Sequence, residues 1–548
     1  MQAAPYSHPV LRTAADHILP CIHHHSSTLT ANISQNISQN AASAYQSAKT
    51  QLFDQTAADI SAGALSYCCG CSGFPDNLLP HADVSHARSL AEARAASQNV
   101  AQITPEPGVT TKDIWVASSG DLTTFAKMKA TLRAAGSHCY VWIADDYYSD
   151  TAGGSMVTTA QAQAAAEKFD ALYDVERYIF GEESDLIYYY NGTGWALEDM
   201  SILSDTGTKV NIVLYDIPAN GPNSIINGYW GQFSHYPNKE HALAMGYTGS
   251  DLEYLAYSNE GKYFYIDSYA YNKNQAKTFS TLAHEFQHMI QFNIKIIQQG
   301  IDNPVWYQEM CSMLCEDMLQ NYLEVTDLDS QKSRFMRFNP YYFLSGLVYD
   351  NSTDSQLLIT YAGIYAFGAW LARQYDGAAL VKEIVRNNST GTASITAAVN
   401  ALNSTSYTIC DLRRQFAEAC IFSTPSQYSL DQDAARTVAF QSGSTYYSYP
   451  MTAIQIWDST YGWILSGTSL STFIPFTASG TDSSGKYLGP NLCKAELYAT
   501  LKAHAPAVCK LRPYGMVLFK VGTASSDTVT VNFSSGGSTD QIFTLMAQ

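Results

Sequence analysis

The sequence predicts an α+β protein with an all-β C-terminal part, on three observations. Strand-like and helix-like patterns alternate between residues 113 and 266. From Lys277 to about Ala419 the apolar residues recur at helical spacing, and after Pro425 short strands follow one another with Gly and Ser between them. With 548 residues, the chain has room for about three domains at ~100–200 residues each. The divisions expected are an Ala-, Ser- and Gln-rich leader over 1–110 (a propeptide or helical segment), a mixed and then helical part over 111–430, and a β-rich part over 431–548.

In chain order, the leader carries the small repeat NISQNISQN at 32–40 and three histidines at His23, His24 and His25. Such a run can catch metal weakly, but a solvated leader over some helix is the expectation favoured. Cys68-Cys69-x-Cys71 has no second half-site nearby, so a loop or local disulfide is the simpler expectation. His8, Arg12, Asp16 and His17 interrupt the first apolar stretch, which therefore does not read as a signal peptide. Residues 114–116 then read as a strand, 122–135 as an amphipathic helix, 139–143 as a strand and 160–173 as a helix. KVNIVLY at 209–215 is a β-branched strand bounded by Gly207 and Pro218, and GKYFYI at 261–266 is a short aromatic one. In the tail, strands are expected at 454–457, 461–465, 516–521, 528–533 and 542–545.

Composition narrows the function. Lys and Arg number 31 against 49 Asp and Glu, a net charge of −18 that repels phosphate backbones and anionic lipid. Nucleic-acid partners are therefore excluded. Residues 357–371 are uncharged but fall short of the ~20 that cross a bilayer, so a buried helix is expected and no membrane span. Charged residues make up only 15% of the chain and Tyr alone numbers 38, which fits an extracellular, cell-surface or periplasmic protein. The 11 cysteines are an odd number, so intramolecular bridges leave at least one unpaired, and Cys493 with Cys509 is the best candidate pair.

One stretch carries chemistry. Residues 281–290 read TLAHEFQHMI, an H-E-x-x-H string whose Leu282, Phe286, Met289 and Ile290 form one apolar helical stripe. Spacing i, i+4 puts His284 and His288 one turn apart on one face, which suits two imidazoles on one tetrahedral Zn2+. Glu285 is turned about 100° from His284, where a carboxylate can take a proton from water beside the ion. Surface histidines would need no such apolar embedding.

A catalytic zinc usually has three protein ligands. Gly300 can stop the first helix, and Asn303-Pro304 can start a second with Asn as cap and Pro at its first position. Glu309 lies in the second turn of that helix, and a hairpin of this length can return it to the metal. Glu309, Met313, Glu316 and Asp317 share a helix face, with Cys311 and Cys315 opposite. Glu316 and Asp317 then either orient the histidine N–H groups or face solvent.

HEFQH followed by WYQEMCSMLCED resembles the gluzincin metallopeptidases, and among them the hyicolysin family of bacterial zinc metallopeptidases. HCYVWI at 138–143, KVNIVLYDI at 209–217, INGYWGQF at 226–233 and YFYID at 263–267 extend the resemblance over about residues 110–420. Gln308 before Glu309 departs from the more familiar Asn-Glu. The resemblance implies a zincin-like catalytic domain, one catalytic zinc on His284, His288 and Glu309, Glu285 as general base, and secreted endopeptidase activity on protein or peptide substrates. It also implies a hydrogen-bond donor for the oxyanion. Tyr365-x-x-Gly368-Ala369 is similar to the element that places such a Tyr in aminopeptidase-like gluzincins, and Tyr361 one turn earlier is the alternative. In zincin folds an edge strand pairs with extended substrate, and 261–266 is placed in sequence to be that strand. The competing reading is a surface adhesin or binding protein with a structural or vestigial zinc site. Glu285 argues against it, because a structural site needs no general base.

Overall fold

Seven strands form the central sheet of the computed structural model: β1 (Cys68–Cys69), β2 (Thr111–Ala117), β3 (Phe125–Ala135), β4 (Cys139–Ala144), β5 (Val210–Tyr215), β6 (Ile226–Trp230) and β7 (Tyr263–Asp267), in the spatial order β1-β6-β7-β5-β4-β3-β2. The residues described are 104–218, 226–250, 252–301, 303–350, 354–422, 438–442, 444–464, 474–475, 481–494 and 510–523. To these are added β1 and the strands Asp16–His23, Leu29–Thr30, Gln541–Phe543 and Met546–Ala547. Strands β4, β5 and β7 run parallel to one another, while β6 is antiparallel to β7. Every residue of β5 and β7 is buried, the pattern of strands covered on both faces. This mixed α and β architecture agrees with the α+β class expected.

Two expectations about the central sheet are corrected here. Residues 122–135 do not form a helix: β3 pairs antiparallel with both β2 and β4. Its Ala, Lys, Met, Leu and Arg favour a helix locally, but two flanking ladders override a preference worth a few tenths of a kcal/mol per residue. Leu122, at φ +57° and buried, turns the chain into the strand. Residues 261–266 likewise do not form an edge, since β7 lies inside the sheet between β5 and β6. The antiparallel strand toward that side is β6, and β1 from the N-terminal region pairs parallel with it.

Four long helices matter for the site: α1 (Thr159–Phe180), α2 (Gln275–Gln291), α3 (Val305–Met318) and α4 (Asp354–Gln374). A capping box between Thr158 and Gln161 starts α1, whose buried Phe169, Leu172 and Ile179 belong to the main core. Strand β6 passes over α2 at Gly228, where a Cβ would stand 2.7 Å from Thr281 Cγ2 and 2.8 Å from the Tyr265 carbonyl oxygen. Gly368 of α4 plays the same part against α3, with a Cβ 2.8 Å from Met310 Cγ.

In the tail, Met516–Thr523 and Gln541–Phe543 are strands near the positions expected, whereas 528–533 and Cys509 lie outside the described residues. Residues 454–457 and 461–464 are not strands. Ile454, Ile456 and Trp457 are buried by packing, and the Asn339 side chain donates to the carbonyls of Ile456 and Tyr461 in place of a ladder. The first and last parts of the chain meet, since Asp16–His23 pairs antiparallel with Met516–Thr523.

Candidate metal centre

Helix α2 begins where the Asn274 side chain accepts from the Lys277 backbone N–H at 3.2 Å, and every residue from Lys277 to Gln291 is buried. It continues into a wider π-type turn at Phe292–Gln298 and ends at Gly300, φ +66°. Helix α3 starts after Pro304 rather than at it, and Asn303 does not cap it. Instead, the Asn303 side chain accepts from Gln291 (3.3 Å), and its carbonyl accepts from the Gln308 amide (2.6 Å). Gln308 thereby closes the hairpin and leaves Glu309 free to turn toward α2.

The hairpin brings three predicted residues together. His284, His288 and Glu309 each offer a ligand atom within 4.8 Å of the others, and all three are buried. His284 Nε2 lies 3.2 Å from Glu309 Oε2, and His288 Nε2 lies 3.7 Å from Glu309 Oε1. Glu285, beside them on α2, is fully buried as well.

The surroundings hold the imidazoles. Glu316, two turns after Glu309, places Oε1 2.6 Å from His284 Nδ1, and its other oxygen accepts from Ser280. Ser312 lies against the His288 ring, 3.2 Å from Nδ1 and 3.3 Å from Nε2, and donates to Gln287. Burial disfavours a charged His284, but bonds to Glu309 and Glu316 outweigh it and raise the pKa to about 10. Burial and the neighbouring His284 push His288 the other way, well below the usual range.

Sequence reasoning missed Ser312 and Glu176. Ser312 follows Glu309 by three positions, a spacing that could have flagged it. Glu176 of α1 is a carboxyl on an apolar face, three residues from Tyr173 and Ile179, and it is wholly buried. Burial pushes its pKa well up, and the Cys315 thiol and His284 offset this only in part. The thiols of Cys311 and Cys315 are themselves buried and raised by burial, Cys311 to about 12, which marks packing rather than reactive groups.

Asp317 and Tyr365 form a separate cluster. Arg373 grips both Asp317 oxygens at 2.7 and 2.9 Å, and the Tyr365 hydroxyl donates to the same carboxylate at 3.0 Å. Burial would raise the Asp317 pKa, but Arg373 holds it below the usual carboxylate range. Tyr365 is fully buried, and its hydroxyl hydrogen points to Asp317. Tyr361 is also buried, its ring 5.1 Å from the Arg334 guanidinium.

The donor set fits a metal ion. Two ligand atoms at 2.0–2.1 Å from a tetrahedral ion stand about 3.3 Å apart; Glu309 lies 3.2 and 3.7 Å from the two Nε2 atoms, and the whole set lies within 4.8 Å. Glu309 Oε1 has no hydrogen-bond partner although it is buried. A buried carboxylate is costly unless paired or bound to metal, and Glu285, Glu309 and Glu316 are all within 4% of full burial.

The chain is similar to a metalloprotease. Neutral metalloprotease ShpI of Staphylococcus hyicus is 29% identical to it over 270 residues, covering 47% of this chain and 50% of that protein. The chain thus spans about half the length of that curated relative. No family model matches the sequence. Among the described residues, no helix is long and apolar enough to cross a membrane.

Proposed function

We propose that the chain is a zinc-dependent endopeptidase of the hyicolysin type, a gluzincin acting outside the cytoplasm on protein or peptide substrates. The observation that carries this reading is the convergence of His284, His288 and Glu309 with Glu285 beside them. A two-imidazole, one-carboxylate set suits zinc, and the relative's description as a metalloprotease supports the same chemistry. The low charge content supports the location outside the cytoplasm.

A zinc ion held there supplies Lewis acidity that makes water a nucleophile near neutral pH. The chain's own residues do the rest. Glu285 accepts the proton of the attacking water and returns it to the leaving amine. Glu316 fixes the His284 ring through Nδ1 and leaves Nε2 to face the ion's place, while Ser312 packs against the His288 ring. Tyr365 has no part in this scheme, because its hydroxyl is bound to Asp317.

The test is metal content together with cleavage of end-blocked peptides and casein. Purified protein should hold one zinc per chain and cleave internal bonds. Activity should vanish with a chelator and return with zinc. Glu285→Gln should keep the zinc and the fold while turnover falls by about 10²–10⁴. Stoichiometric zinc retained by His288→Ala, or turnover by Glu285→Gln close to wild type, overturns the reading.

A further inference from the structure

The four candidate catalytic residues are closed off from solvent. His284, Glu285, His288 and Glu309 are each at most 1% exposed in the full chain. An endopeptidase must bring the scissile carbonyl of an extended peptide to the water that Glu285 deprotonates, within hydrogen-bond reach of that carboxylate. The fold described above is therefore a closed form, and one element stands on the sheet edge where such a peptide would dock.

That edge belongs to β6. The strand runs antiparallel to β7 and crosses α2 at Thr281, one turn before His284. On the side away from β7 it pairs with β1, Ile226 opposite Cys68 and Gly228 opposite Cys69, and β1 comes against α2 as well. The N-terminal region that supplies β1 is fastened to the tail by two further pairings, Asp16–His23 on Met516–Thr523 and Leu29–Thr30 on Lys510–Leu511. So tethered, β1 has a high effective concentration at β6 and needs no strong bond of its own. Its ladder is indeed a weak one. It has two residues, it is parallel, and its register slips between Ile226 and Gly228. Parallel pairing is slightly less stable per residue than antiparallel pairing, so a longer peptide laid antiparallel on β6 can displace it.

We propose that β1 is an autoinhibitory strand that holds the edge of β6 which an extended peptide substrate would occupy, so that cleavage requires its displacement. Main-chain pairing with a strand edge is a general way to bind extended peptides, and the edge accepts one strand at a time. Because β1 is parallel to β6, it presents its peptide groups in the opposite sense to an antiparallel substrate, and so fills the edge without offering the same bond for attack. The inference rests on the peptidase reading above and adds how that site is regulated.

The experiment uses the full chain loaded with zinc, an internally quenched peptide for turnover, and the same peptide carrying a dye for binding to Glu285→Gln by fluorescence anisotropy. Cys68→Pro with Cys69→Pro removes the N–H groups that β1 can offer β6, whereas Cys68→Ser with Cys69→Ser keeps them. The Pro pair should raise kcat/KM about ten- to a hundredfold, the gain expected if the open edge is populated at about 1–10% beforehand. Zinc content should not change, and the Ser pair should behave as wild type. In the Glu285→Gln chain the Pro pair should tighten peptide binding by a similar factor. In that chain without the Pro pair, saturating peptide should speed hydrogen exchange at residues 68–69 while 226–230 stay protected. This last measurement needs no substitution in β1 and decides alone if the Pro pair fails to fold. Unchanged exchange at 68–69 under saturating peptide overturns the proposal. A folded Pro pair that binds peptide no tighter than its Glu285→Gln parent also overturns it, as does one that turns over no faster in a chain that cleaves, or a Ser pair as active as the Pro pair. If no chain cleaves the peptide, yet the Pro pair tightens its binding, the covering strand stands and the peptidase reading falls.

Discussion

At the scale of single residues, several buried charges in and around the centre have a specific partner, and variants read out those pairs separately. The bond from Glu316 to His284 Nδ1 is 2.6 Å long and excluded from water. Glu316→Gln keeps an acceptor there but loses the charge that makes the imidazole a stronger ligand. Zinc affinity should fall about 10–100-fold, measured by competition with a chromophoric chelator, and wild-type affinity would show that the bond has no role in metal binding. Tyr365→Phe removes a donor to Asp317 but leaves both Arg373 bonds. Its expected cost is about 1 kcal/mol in denaturant unfolding, with kcat unchanged. A kcat loss on the order of 10²–10³ would instead return the phenol to the oxyanion.

At the scale of elements, the helix pair α2 and α3 works because its neighbours come unusually close. Gly228 of β6 has Thr281 on one side and the Tyr265 carbonyl on the other, and a backbone oxygen cannot swing aside. Gly228→Val should therefore destabilise by about 1–3 kcal/mol through overpacking, read as a lower denaturant midpoint with an unchanged slope. An unshifted midpoint would mean that β6 can lift off α2 without cost. The hairpin shows how much an element owes to distant groups. Gln308 was legible as a departure from Asn, but its bond to the Asn303 carbonyl, which shapes the loop, was not. The same limit explains β3, whose composition favours a helix and whose two antiparallel neighbours make it a strand.

At the scale of the whole molecule, the N-terminal region is built into structures far from it in sequence. Asp16–His23 pairs with Met516–Thr523, Leu19 opposite Phe519, and the same late strand bonds to Tyr342 through the Leu518 N–H at 3.0 Å. Deleting residues 1–23 should leave Met516–Thr523 with an open edge of unpaired backbone groups. Faster proteolysis of the tail and increased light scattering are expected, with zinc content retained. Equal protease resistance would show that the pairing contributes little. The sequence by itself indicated the α+β class and brought forward His284, Glu285, His288 and Glu309 as candidates, because an i, i+4 pair inside an apolar stripe and a carboxylate on the next helical segment are local patterns. Only the tertiary structure decided that Tyr365 serves Asp317, that Glu176 lies buried near His284, and that Lys277, Arg334 and Arg337 share one cleft. Each of those depends on which distant group meets a buried charge or donor. That pairing is set by burial and long-range contact, to which the periodicity of a single chain carries no signal.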